Sequence, residues 1–142
     1  RAEALHVPVE HLSSQAFKEG KATELLHRYQ VDFVVLAGFL LRIPNDMLET
    51  YPNRIVNIHP SLLPKFGGKG MYGNRVHEAV LEAQEKESGI TIHYINEHYD
   101  EGAIILQAQC PVVEGDTPDT LANRVHQLEY EHYPKVIEQL LT

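Results

Sequence analysis

The chain has 142 residues, 43% hydrophobic and 23% charged, the proportions of one globular domain with room for a core. A net charge of −8 without any basic block speaks against nucleic-acid binding. The longest apolar run, Phe33 to Leu41, is half of the roughly 18 residues a membrane span needs. The one cysteine, Cys110, excludes an intrachain disulfide and a thiolate metal cluster, so a reducing, cytoplasmic setting is expected, with Cys110 a small buried residue on a strand.

The N-terminus has no signal-peptide pattern, and Arg1 runs into "AEALHVPVEHL" as though in the middle of a fold, so a missing beginning is expected. "HVPVEHL" (6–12) reads as a short strand. Residues 14–29 have helical composition, with Phe17, Leu25, Leu26 and Tyr29 apolar and Gly20 weakening the middle. "DFVVLAGF" (32–39) is a continuous apolar run of the kind that forms a strand covered on both faces. A short helix is expected over 45–50, after Pro44, and a strand at "RIVNIH" (54–59). "KFGGKGMYGN" (65–74), with four glycines, predicts a mobile loop. It lacks the G-x-x-x-x-G-K-[ST] phosphate pattern and reads as a flexible lid. "NRVHEAVLEAQ" (74–84) predicts a helix, followed by strands at 89–96 and 103–113. Thr117 and Pro118 form a helix start, and Pro134 is expected to kink or restart that helix before Val136 and Leu140. Strands alternating with helices predict an α/β fold with a mainly parallel central sheet flanked by helices. Ligands then gather beyond the carboxyl ends of the strands.

"RIVNIHPSLLPK" places unusual residues there. Alternation along a strand sends Asn57 and His59 to one face and Val56 and Ile58 to the other. An asparagine amide can donate to an oxyanion, and histidine can move a proton near neutral pH. A nearby carboxylate such as Asp100 would favour the imidazolium. That set suits attack of an amine on an activated acyl group. No serine or cysteine stands out as a nucleophile, so direct transfer between substrates is expected. Nine histidines raise the question of a metal, but His93 and His98 lie five apart across a strand end and His77 on a helix, which is no zinc spacing. The stretch "EAQEKES" reads as a solvated helix end.

Together, "VVLAGFLLRIP", "NIHPSLLPKF", "ESGITIHYINEHYDEGAIILQ" and "GDTPDTLANRVHQLEYEHYPKVI" resemble the phosphoribosylglycinamide formyltransferase family. N-x-H alone would be weak. N-x-H-P-S-L-L-P followed some 40 residues later by D-x-G before an apolar strand is specific. The resemblance implies a Rossmann-like formyltransferase fold with its first βα units missing. Residues 1–142 would be a single domain, the C-terminal two-thirds of the family's. It also implies transfer of a formyl group from 10-formyltetrahydrofolate to glycinamide ribonucleotide in purine biosynthesis.

The resemblance gives Asn57 the oxyanion, His59 the proton, and Asp100 the support of the protonated histidine and a relay through water. The folate would lie against Leu40, Leu41, Arg42 and Ile43, an apolar wall of Leu48 and Ile55, and the loop Asn96, Glu97, His98 and Tyr99; Lys21 would be a loose basic contact. Gly38 and Glu129 would meet the ribonucleotide, Glu129 through ribose hydroxyls. Three departures stand out: nothing before Arg1 supplies the family's glycine- and serine-containing phosphate loop, His126 stands where some relatives have glutamine, and the 67–74 loop is longer than in some relatives. Formyltetrahydrofolate deformylase and methionyl-tRNA formyltransferase share the N-x-H and D-x-G chemistry. The first carries an extra sensing domain and the second a basic tRNA-binding extension, neither seen here. A folate-binding piece without turnover is the non-enzymatic alternative.

Overall fold

A computed structural model describes residues 3–39, 41–97 and 102–142. In chain order these form α1 (Ser14–Lys18), α2 (Lys21–Arg28), β1 (Val34–Val35), α3 (Asn45–Thr50), β2 (Ile55–His59), α4 (Asn74–Glu82), β3 (Glu87–Tyr94), β4 (Ile104–Pro111) and α5 (Pro118–Leu141). The strands form one sheet in the order β1-β2-β3-β4.

β1 runs parallel to β2, pairing Val34 with Ile55. β2 and β3 are antiparallel, pairing Asn57 with His93 and His59 with Thr91, and β3 and β4 are antiparallel, pairing Thr91 with Gln107. The expected α/β fold is present, but the mainly parallel sheet is corrected to a mixed one. The reason lies in the connections. Lys65, just beyond β2, reaches Glu85, just beyond α4, at 3.2 Å. Loop and helix thus bring the chain back to the end of the sheet where β2 left it, and β3 must run backwards. From β3 to β4 only nine residues intervene, too few for a crossover.

Ile55 and Val56, adjacent in β2, belong to different cores because side chains alternate across a strand. Val56 joins Val76 and Val80 of α4, Ile90 and Ile92 of β3, and Leu121, Val125 and Val136 of α5. Ile55 packs with Phe17 of α1, Met47 of α3, Ile43 and Tyr51. Cys110 is buried in the first core, as expected of a strand cysteine.

Several local expectations change. Residues 7–13 form no strand: Pro8 removes a donor, no strand lies beside them among the described residues, and Leu5 and Val7 are exposed. The helix expected over 14–29 is two helices, broken where Gly20 takes φ +88°. The 32–39 strand shrinks to Val34–Val35 and is not covered on both faces, since Val35 is exposed. At α5 the start is as read, with Thr117 and Thr120 in a reciprocal cap and Pro118 in the first turn. Pro134 does not restart the helix, which runs on to Leu141. Pro134 costs one backbone hydrogen bond, but Tyr133 and Val136 on either side are buried and hold the helix to the sheet.

Candidate active site

The carboxyl end of β2 opens into a cleft of about 630 Å³. Its floor is Asn57, Ile58, His59 and Pro60. The segment after β1 forms one wall, the glycine-rich loop and the start of α4 another, and Asn96 and Glu97 after β3 a third, while His126 and Glu129 of α5 complete the rim.

Asn57 is half-buried and His59 buried, 4% exposed. The His59 Nε2 lies 2.8 Å from the Phe66 carbonyl. A carbonyl only accepts, so Nε2 carries the hydrogen, and the proton the ring can exchange is the one at Nδ1. Phe66 itself turns the chain with φ +56°, a conformation uncommon for a side chain of its size.

On the first wall, Leu41 and Ile43 present apolar surface, and the Phe39 ring packs tilted at 57° against Phe17 of α1, centroids 5.0 Å apart. Arg42 Nη2 reaches the Glu97 carbonyl at 3.5 Å, which ties this wall to the segment after β3. On the rim, His126 Nδ1 donates to the Glu129 carboxylate at 3.3 Å. His77 of α4, 2% exposed, also faces the cleft. Burial, then the nearby His126 and His59, pushes its pKa below the ordinary 6.5 and keeps the ring neutral. Its Nδ1 has no hydrogen-bond partner among the described residues.

The structure brings together Gly38, Leu41, Arg42, Ile43, Asn57, His59, Asn96, Glu97 and Glu129 of the residues singled out in the sequence. Leu48 and Ile55 stand behind the wall in the second core and do not line the cleft. Lys21, exposed on α2, pairs with Glu24 at 3.7 Å and does not line it either. Leu40, His98, Tyr99 and Asp100 lie outside the described residues. The sequence reading missed His77, Phe39 and the Phe66 carbonyl. His77 could have been suspected from its place in the first turns of a helix that follows a glycine-rich loop. A backbone carbonyl leaves no signal in side-chain types.

Chemically, the cleft offers an amide donor, a proton-moving imidazole, an apolar wall and a carboxylate. Among the described lining residues there is no serine, threonine or cysteine. Ser61 is wholly buried with its hydroxyl donating to the Lys65 carbonyl, and burial pushes the Cys110 thiol up.

A family model described as formyl transferase matches residues 2–137. The chloroplastic phosphoribosylglycinamide formyltransferase of Arabidopsis thaliana is 48% identical over 87% of this chain and 42% of its own length. The Bacillus subtilis phosphoribosylglycinamide formyltransferase is 40% identical over 99% of this chain and 72% of its own. Among solved structures, phosphoribosylglycinamide formyltransferase from Bacillus halodurans superposes with a TM-score of 0.90 at 36% identity, covering 99% of this chain and 73% of that one. The chain thus spans less than half of the plant relative and about three-quarters of the bacterial ones.

Proposed function

The chain belongs to the formyl transferase family, and from that premise we propose that it transfers a formyl group from 10-formyltetrahydrofolate to the amine of glycinamide ribonucleotide in purine biosynthesis. The observation that carries this reading is the placing of Asn57 and His59, side by side on one strand face, at the floor of the cleft.

The amine attacks the formyl carbon, and the carbonyl oxygen takes up negative charge. The Asn57 amide donates to that oxygen, an interaction that strengthens as the charge develops. The proton lost by the amine and gained by the departing folate nitrogen passes through His59 at Nδ1, while Nε2–H stays on the Phe66 carbonyl. Asp100, which falls within the β3–β4 connection in sequence and outside the described residues, supports the protonated ring and relays the proton through water. The lack of a serine, threonine or cysteine among the described lining residues favours direct transfer over a covalent enzyme intermediate.

The flat donor ring lies against Leu41 and Ile43, with edge contacts from the Arg42, Asn96 and Glu97 segments. The ribonucleotide lies toward Gly38 and Glu129, whose carboxylate accepts from ribose hydroxyls. The lone, buried Cys110 is in keeping with a reducing compartment such as the cytoplasm.

The test is an assay of tetrahydrofolate release with and without glycinamide ribonucleotide. Release should require the ribonucleotide, and Asn57→Ala and His59→Ala should each lower turnover about 100-fold or more. Formate release that ignores the ribonucleotide would make water the acceptor and refute the reading.

A further inference from the structure

Thr91 lies directly across the sheet from His59, and Gln107 directly across from Thr91, so these side chains stand in one row on one face of three neighbouring strands. Thr91 does not hold His59 itself. Its wholly buried hydroxyl donates to the Ser61 carbonyl at 2.7 Å and accepts from the Leu63 N–H at 3.0 Å. Gln107 Nε2 donates to the Leu63 carbonyl at 2.9 Å and to Thr91 Oγ1 at 3.0 Å. With one donor and two acceptor positions engaged, the hydroxyl is saturated and its orientation is fixed. The Ser61 hydroxyl continues the chain of bonds to the Lys65 carbonyl at 2.7 Å. The next residue is Phe66, whose carbonyl receives the His59 Nε2–H.

We propose that Gln107 is a positioning residue for His59. It acts through the Leu63 carbonyl and the Thr91 hydroxyl, fastening the 61–66 turn so that the Phe66 carbonyl sets the plane and the tautomer of the imidazole. Two features single out Gln107 within the network. It joins the turn to β4, a strand that supplies none of the described lining of the cleft. It is also exposed, so substituting it leaves the core and the strand pairing in place. Loss of its amide removes the donor to Leu63 and one of the two donors that orient Thr91. The turn is then held at fewer points, and a small drift of the Phe66 carbonyl turns Nδ1 away from its working position. The inference rests on reading His59 as the group that moves the proton.

The test compares Gln107→Ala, Gln107→Glu and Thr91→Ser in the complete protein that carries this chain. Glutamate keeps length and shape but replaces the donor with an oxygen facing the Leu63 carbonyl. Both Gln107 variants should lose about tenfold in kcat for formyl transfer, with KM for either substrate changing by less than about twofold. Thr91→Ser keeps the hydroxyl and should retain kcat. A second readout needs no turnover: solvent exchange of the His59 Nε2–H, followed by 15N NMR, should be about tenfold faster in both Gln107 variants. Unchanged exchange in both overturns the proposal, whatever the activity. Unchanged kcat in both, in an active enzyme, overturns it as well. Absence of formyl transfer in the wild type would refute the functional reading alone, and exchange would still decide the positioning.

Discussion

Tyr133→Phe removes a single oxygen from the middle of α5. That hydroxyl donates to the Leu36 carbonyl at 2.6 Å and lies 3.4 Å from the Val56 carbonyl, so it joins the helix to the ends of β1 and β2. Tyr133 is buried, and phenylalanine fills nearly the same space. The loss is therefore mainly that of a bond to a carbonyl inside the protein, about 1–3 kcal/mol. Unfolding entropy of about 2.1 cal/mol/K per residue gives roughly 0.3 kcal/mol/K for a chain of this length, so Tm should fall by about 3–10 °C. The pH dependence has a definite sign. Burial, then the nearby Glu129 charge, pushes the Tyr133 phenol above its ordinary 10.0. Below pH 10 both folded and unfolded chains hold the proton, and the stabilisation is complete. Above it the unfolded chain releases the proton first, so wild-type stability drops by up to about 1.4 kcal/mol per pH unit from this group. Tyr133→Phe lacks that loss, and its deficit should shrink between pH 10 and 11. Thermal melts of both proteins at pH 8, 10 and 11 measure this. A Tm difference below one degree at pH 8, or a deficit that stays constant to pH 11, would refute the reasoning.

The Arg124 guanidinium grips Asp116 with bonds of 2.8 and 3.0 Å and donates to the Pro111 carbonyl at 2.8 Å. Arg124→Ala leaves a carboxylate that is only 3% exposed without its main partner, so urea unfolding at pH 7 should show a loss of about 2 kcal/mol or more. The hydrogen bonds from Arg124 hold Asp116 well below its ordinary 3.8, so the stabilisation is present above that pH, and the gap to Arg124→Ala should close as pH falls below it. His77 runs with the same slope from a different physical cause: burial disfavours its charged form and lowers its folded pKa too, so the unfolded chain gains the proton first and stability falls as pH drops through 6.5. His77→Gln should flatten stability curves between pH 5 and 7. A Cβ at Gly89 would run into the Ala108 carbonyl of β4 and meet Leu62 at 2.8 Å, so Gly89→Ala should cost about 3 kcal/mol or more in chemical denaturation.

The elements that could be read from the sequence are those whose cause is local. The Asn57/His59 alternation, the Thr117–Pro118 helix start and the helix at "NRVHEAVLEAQ" need only neighbours along the chain, and each stands where it was expected. Strand direction was not legible, because it depends on where loop and helix return the chain, as the Lys65–Glu85 contact shows. Residues 6–12 had strand-like composition, yet composition cannot supply a neighbouring strand. Nine of the cleft's lining residues, Asn57 and His59 among them, were legible because motif and spacing carry them. The backbone half of the site was not: the bond from His59 to the Phe66 carbonyl spans seven positions and those from Thr91 and Gln107 join residues 16 to 44 positions apart, with no periodicity to mark them.

The pairing of β2 on both sides restricts how this chain can change in length. Val34 and Val35 fix its first two residues from one side, and β3 fixes Val56 to His59 from the other. One residue gained or lost within 55–59 would exchange the two faces, turning Asn57 and His59 toward the α4–α5 core and Val56 out of it. Insertions and deletions are thus confined to stretches without such ladders, chiefly the glycine-rich turn of 67–73. That stretch forms a wall of the cleft, so related chains can vary what the cleft admits by changing loop length while Asn57 and His59 on β2 stay in place.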